Sequence, residues 1–127
     1  MSSMYFAYWM VLAASILPYA AAAYAKRGDV DNHAPRLSLE ALAGPRQRAD
    51  WAQRNHFESF PIFAAGVIIA SIAGAPHATI DWLAGIHVIL RILYTIAYIT
   101  DRSTLRSVLF ILGALCVLGL FAAAGFA

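Results

Sequence analysis

Hydrophobic residues in this chain come in long unbroken blocks. They do not alternate as in a half-buried strand, nor do they line one face of a surface helix. Residues 1–25, 59–80 and 107–127 contain no Asp, Glu, Lys or Arg, and the block 82–100 is interrupted only by Arg91. Each block approaches or reaches the roughly 20 residues that cross a hydrocarbon core at 1.5 Å per residue. The pattern predicts four membrane-spanning helices over about 5–25, 57–74, 80–100 and 105–126, within one domain of 127 residues. The expected fold class is all-α, an integral membrane four-helix bundle.

Proline and glycine punctuate the blocks. Pro18 falls inside the first span, where bundled membrane helices tolerate it. Gly28, Pro35, Gly44 and Pro45 break up the polar connection that follows, with one short helical turn expected at Leu39 to Leu42. The second helix is expected to begin near Arg46 and run through Pro61 to about Ala73, its first three turns lying outside the hydrocarbon. "GAPHA" predicts a tight turn, with Asp81 near the start of the third helix, where a carboxylate suits the helix dipole. "DRST" predicts the next turn. The first block lacks a basic leader and exceeds the length of a signal-peptide apolar core, so it is expected to be a span.

Composition sharpens the picture. Hydrophobic residues make up 61% of the chain and charged residues 13%, about half the charge usual in soluble domains. A net charge of +2 without a long basic run argues against a nucleic-acid partner. The single cysteine, Cys116, lies in the fourth span, which precludes an intrachain disulfide. Eight of the nine basic residues lie in or beside the first and third connections, and the second connection has none. The positive-inside rule then places those two connections in the cytosol and both termini on the other side.

The candidate chemistry lies on two helical stripes. On the second helix, Arg48, Asn55 and Glu58 share a face, while Arg54 and Glu58, four apart, are spaced to pair. On the third, His87, Arg91, Tyr94 and Tyr98 follow at steps of four, three and four. A charge at membrane depth costs about 2.5–3.5 kcal/mol on insertion scales, so Arg91 should face a protein interior and carry Tyr94 and Tyr98 with it. Arg106 begins the fourth helix at about the same level. Together these residues predict a polar pocket near the cytosolic interface. It suits a small zwitterionic or anionic ligand, with carboxylates for the arginines and an amine for Glu58. The apolar walls above it would admit a lipophilic second ligand. Arg91 and Glu58 also fit a structural ion-pair role, Tyr98 an interfacial aromatic belt, and His87 a helix-packing hydrogen bond. The four histidines lack metal-binding spacing, and no metal site is expected.

"RADWAQRNHFESFPIF" resembles the signature of the MAPEG superfamily, the membrane-associated proteins of eicosanoid and glutathione metabolism. It supplies Arg48, Ala52, Asn55, Glu58 and Pro61 at the matching positions. "LRILYTIAYI" resembles the family's third-helix segment through Arg91, Tyr94 and Tyr98, and "RSVLF" at Arg106 resembles the start of its fourth helix. The resemblance implies a homotrimer with glutathione, as co-substrate, held between adjacent subunits near the cytosolic side. It implies that Arg27, Arg48, Gln53, Asn55, Glu58, Arg91, Tyr94 and Tyr98 form the binding set. Arg106 matches the arginine proposed to stabilise the glutathione thiolate, since a nearby cation lowers a thiol's pKa. The implied activity is that of a membrane-bound glutathione transferase or peroxidase acting on lipophilic electrophiles or lipid hydroperoxides. The alternative is a non-catalytic lipid-binding member. Three positions depart from the pattern. Trp51 stands where glutathione-using synthases place an arginine, Ser59 where the leukotriene-forming ones have a tyrosine, and Phe110 where the prostaglandin-forming branch has a tyrosine. Mass measurement in mild detergent is expected to give a trimer, and finding only monomers would remove the implied intersubunit site.

Overall fold

A computed structural model describes residues 5–127 and contains five helices: α1 (Phe6–Ala25), α2 (Pro35–Glu40), α3 (Gly44–Ala73), α4 (His77–Ile99) and α5 (Ser103–Gly125). All but α2 are long and apolar enough to cross a membrane. At 30 residues α3 is about 45 Å long, well beyond the roughly 30 Å hydrocarbon core, so part of it is longer than a span needs. Pro61 lies within α3 without ending it, and Pro18 lies likewise within α1.

Two boundaries differ from the sequence reading. The short helix occupies Pro35–Glu40 rather than Leu39 to Leu42, because Pro35 in the first turn fixes a helical φ where no amide donor is needed. Helix α4 begins at His77, three residues earlier than expected, because the preceding turn is very compact. Gly74 adopts the left-handed conformation (φ 84°), and Ala75 N–H donates back to the Ala70 carbonyl at 3.0 Å, as Gly74 N–H does to Ser71 at 3.2 Å. This Schellman arrangement satisfies the last carbonyls of α3 and leaves Pro76 free to start the next helix. The α4–α5 turn repeats it with Asp101 (φ 61°) in the left-handed position and Arg102 N–H on the Ala97 carbonyl at 2.8 Å.

Helix packing follows residue size. The buried face of α1 is Ala7, Ala14, Pro18, Ala21, Ala22 and Ala25, and α3 contributes Ala49, Ala52, Gly66 and Ala70 among its buried positions. Small side chains let membrane helices approach closely, and α1 packs extensively along α3. Helix α4 packs most extensively on α5, while α3 touches both, and Phe63, Val67, Ile80 and Leu120 fill the centre.

The start of α3 ties the helix ends together. Arg46 Nε donates to the Ala25 carbonyl at the end of α1 (2.9 Å), and Arg48 Nε to the Ile99 carbonyl at the end of α4 (3.1 Å). Both guanidinium groups meet the negative ends of helix dipoles and otherwise orphaned carbonyls. At the other end of the bundle Asp81 accepts the Ala7 N–H at 3.0 Å, capping α1 from a neighbouring helix. With α4 starting at His77, Asp81 is too far along to serve its own N-terminus, contrary to the role expected from its place after Thr79. Replacing Asp81 by Ala should cost about 1 kcal/mol of stability. Asn, which keeps the side-chain acceptor, should cost less. Thermal unfolding in detergent compares the two, and equal losses would show that the acceptor is not what matters.

Candidate functional site

Arg91, 3% exposed, is a buried cation within α4. Its Nη2 donates to Asn55 Oδ1 and to His56 Nδ1, both at 2.9 Å, and its guanidinium lies 4.3 Å over the Tyr94 ring. Because arginine has only donors, His56 must accept at Nδ1 and carry its proton on Nε2. That Nε2–H points to Thr95 Oγ1 at 2.7 Å, and the Thr95 hydroxyl donates to the Arg91 carbonyl at 2.9 Å. The four groups close a cycle in which each hydrogen has one assigned direction. His87 does the packing job expected of it, with Nδ1 on the Gly113 carbonyl at 3.0 Å and its ring stacked on Phe63 at 4.1 Å.

Toward the α4–α5 turn the phenols form a second layer. Tyr94 and Tyr98 meet edge to face at 5.6 Å, and Arg106 lies 4.6 Å over the Tyr98 ring. Trp51 approaches Tyr98 at 6.3 Å and Phe110 approaches Tyr94 at 6.2 Å. Asn55, Tyr94, Tyr98, Arg106, Ser107 and Phe110 line an open cavity of about 360 Å³. A second cleft of about 400 Å³ adjoins it between α3 and α5, with Glu58, Ser59, Ile62, His87, Arg91, Val117 and Leu118 in its walls. Asn55 and Phe110 belong to both. The lining of the second cleft is mostly apolar, so a polar mouth leads into a lipophilic slot.

Six of the sequence-predicted residues therefore converge: Asn55, Glu58, Arg91, Tyr94, Tyr98 and Arg106. Three do not. Arg48 faces α4 as Asn55 does, but its Nε is committed to the Ile99 carbonyl at the end of that helix, and it lines neither cavity. Arg27 lies over the Tyr24 ring at 4.3 Å, at the end of α1. Gln53 points to a different pocket beside α2, because two residues along a helix turn a side chain by about 200°. Nor does Arg54 pair with Glu58. It contacts Asp50 at 3.1 Å and Glu40 at 3.5 Å, since α2 brings Glu40 alongside. Glu58 has no ion-pair partner among the described residues and is free at the cleft wall.

His56 is the residue that motif reading overlooked. The signal was present in its spacing: Ala49, Ala52, His56 and Phe63 fall on one buried stripe of α3. A histidine on that stripe must find polar partners inside the bundle.

The family profile described as MAPEG family matches residues 3–126. The chain belongs to the MAPEG family. That family includes glutathione transferases, peroxidases and related members, and with its four long apolar helices this MAPEG protein is an integral, multi-pass membrane protein. No curated protein and no solved structure gives a significant match. The four long helices are thus those of a MAPEG protein whose particular chemistry has to be argued from its own side chains.

The cycle around Arg91 makes a specific prediction. Thr95→Val removes the acceptor for His56 with little change in volume and should destabilise the protein by about 1–3 kcal/mol, the cost of a buried donor left unmet. Thr95→Ser keeps the hydroxyl and should lose less. Thermal unfolding of both variants in detergent checks the order, and a Val variant as stable as Ser would break the proposed hydrogen-bond directions.

Proposed function

We propose that this MAPEG protein is a glutathione-dependent transferase or peroxidase acting on lipophilic electrophiles or lipid hydroperoxides. The observation that supports it most is the shared boundary of the two cavities. Asn55 and Phe110 separate a polar mouth holding Arg106, Tyr94 and Tyr98 from an apolar slot open toward the membrane-facing helices. A water-soluble thiol and a membrane-dissolved reactant would meet there, and holding two reactants together supplies much of the acceleration such a reaction needs.

In this reading glutathione lies in the mouth with its sulfur toward Arg106, and its amine extends past Asn55 to Glu58 in the wall of the adjoining cleft. The guanidinium favours the thiolate, which is the nucleophile. In a transferase step the sulfur forms a bond to an electrophilic carbon of the lipid while the carbon's leaving group departs. In a peroxidase step the thiolate takes the terminal peroxide oxygen, the O–O bond breaks to release an alcohol, and a second glutathione displaces water to give the disulfide. Arg106 has no carboxylate within salt-bridge distance among the described residues, so its charge remains available to an anion. Arg27, Arg48 and Gln53, carried over by the resemblance, would reach this ligand only from a neighbouring subunit of the expected homotrimer. By the positive-inside rule, the basic residues near the α1–α3 and α4–α5 ends support a cytosolic mouth.

A second reading is a non-catalytic lipid-binding protein. Phe110, which brings no hydroxyl to the wall shared by the two cavities, and the apolar slot itself favour it. Enzyme and binder part on one residue. With millimolar glutathione the detergent-solubilised protein should unfold at a higher temperature and conjugate a generic aromatic electrophile. Arg106→Ala should lower kcat/KM by about 100-fold, in the range for losing one preorganised charge-stabilising donor. Absence of both the thermal shift and conjugation would refute the enzymatic reading. Retained lipid binding without turnover would establish the second.

A further inference from the structure

Another face of the α4–α5 pair carries a groove of about 220 Å³. Helical spacing builds its walls. Leu93, Ile96 and Ala97 share one face of α4, while Arg102, Leu105 and Leu109, at steps of three and four, share one face of α5. Ala97 and Leu109 are buried, whereas Leu93, Ile96 and Leu105 are about half exposed. None of these residues lines the two cavities of the cleft. Arg102 is the one ionisable residue among the described walls, and it stands at the turn end of the groove. No carboxylate among the described residues lies within salt-bridge distance of it. Its backbone N–H, not its side chain, closes the α4–α5 turn on the Ala97 carbonyl. The other polar side chain there, Thr100, already donates its hydroxyl to the Ile96 carbonyl at 2.7 Å. The result is an apolar channel ending at a single unanswered cation.

We propose that this groove holds a phospholipid of net negative charge, with one acyl chain between α4 and α5 and its phosphate on Arg102. A guanidinium meets phosphate oxygens two at a time and is weakly hydrated, which suits an ion pair at an interface. A small soluble anion would answer Arg102 but leave Leu93, Ile96 and Leu105 uncovered. A neutral lipid would cover those side chains and leave the charge unanswered. Arg102 directly follows the apolar block 82–100 and Asp101, so it stands at the level where lipid phosphates lie. The positive-inside rule supports a cytosolic position for this turn, and anionic lipids of that leaflet attract arginines that flank a span. The positive end of the α5 dipole adds to the attraction. The inference uses no residue assigned to glutathione and stands apart from the function proposed above.

The test uses the full chain, purified in detergent and stripped of lipid, with Arg102→Gln, Arg36→Gln and Leu93→Trp as variants. Native mass spectrometry measures retention of phosphatidylglycerol and of phosphatidylcholine with the same acyl chains, and reports the oligomeric state at the same time. Both lipids carry a phosphate, but in phosphatidylcholine a fixed cation offsets it. The unaltered protein should hold phosphatidylglycerol about fivefold more tightly, the effect of one arginine at a membrane surface. Arg102→Gln should bring the two lipids to parity. Arg36→Gln removes an exposed cation outside the groove and should leave the preference intact. Leu93→Trp fills the groove and should weaken retention of both lipids. Parity in the unaltered protein overturns the proposal. An equal loss of preference in both arginine variants also overturns it, because diffuse surface charge then explains the selectivity. If Leu93→Trp changes the oligomeric state and leaves lipid retention untouched, a second copy of the chain occupies the groove and the proposal fails. The Arg102 side chain makes no hydrogen bond among the described residues, so Arg102→Gln keeps the turn and the test stays decisive.

Discussion

One guanidinium inside a membrane span governs the centre of this protein. Arg91 has no carboxylate within reach among the described residues, and its hydrogen-bond acceptors are the neutral oxygen and nitrogen of Asn55 and His56, with the Tyr94 face beneath it. Leaving such a group in lipid would be costly, so α3 and α4 must stay in the register that delivers those partners. The same register sets the phenols of Tyr94 and Tyr98 beside Asn55 and leaves Glu58 at the edge of the cleft. Structural and chemical demands therefore fall on one set of side chains, and mutations around Arg91 will test both together.

The ends of the helices explain how that register is kept. Arg46 and Arg48 bring the start of α3 to the ends of α1 and α4, and two compact turns leave α3, α4 and α5 little freedom to slide. Both arginine contacts join a side chain to backbone across helices, and neither requires an exposed ion pair. Surface ion pairs contribute little and are screened by salt. Hydrogen bonds to helix termini at the edge of a low-dielectric layer lose less to solvent.

Much of this was legible in the residues. Uncharged blocks located the four spans, and the interruption at Arg91 identified both an inward face and the tyrosines that share it. Spacing also brought Asn55 and Glu58 to one side of α3. The misses have a common physical origin. Helical periodicity relates residues on one helix, whereas the partners of Arg48, Arg54 and Asp81 lie on others: the Ile99 carbonyl, Glu40 and the Ala7 amide. Arg54 also had two carboxylates at helical spacing, and the one chosen, Asp50, is the one buried. His56 escaped because its function depends on Thr95, 39 positions away, whose hydroxyl turns an ordinary core histidine into a directional link.

The continuity of α3 carries one more implication. From Gly44 to Ala73 no break separates the residues that cap α1 and α4 from those that line the cleft. A rigid rod of this kind behaves like a camshaft: its lobes keep fixed angles to one another. Gaining or losing a single amino acid between Arg48 and Asn55 would swing everything beyond it by about 100°, whereas the polar stretch ahead of Gly44 can lengthen or shorten with far less consequence. Length variation among kindred sequences should accordingly collect before this rod and spare its interior.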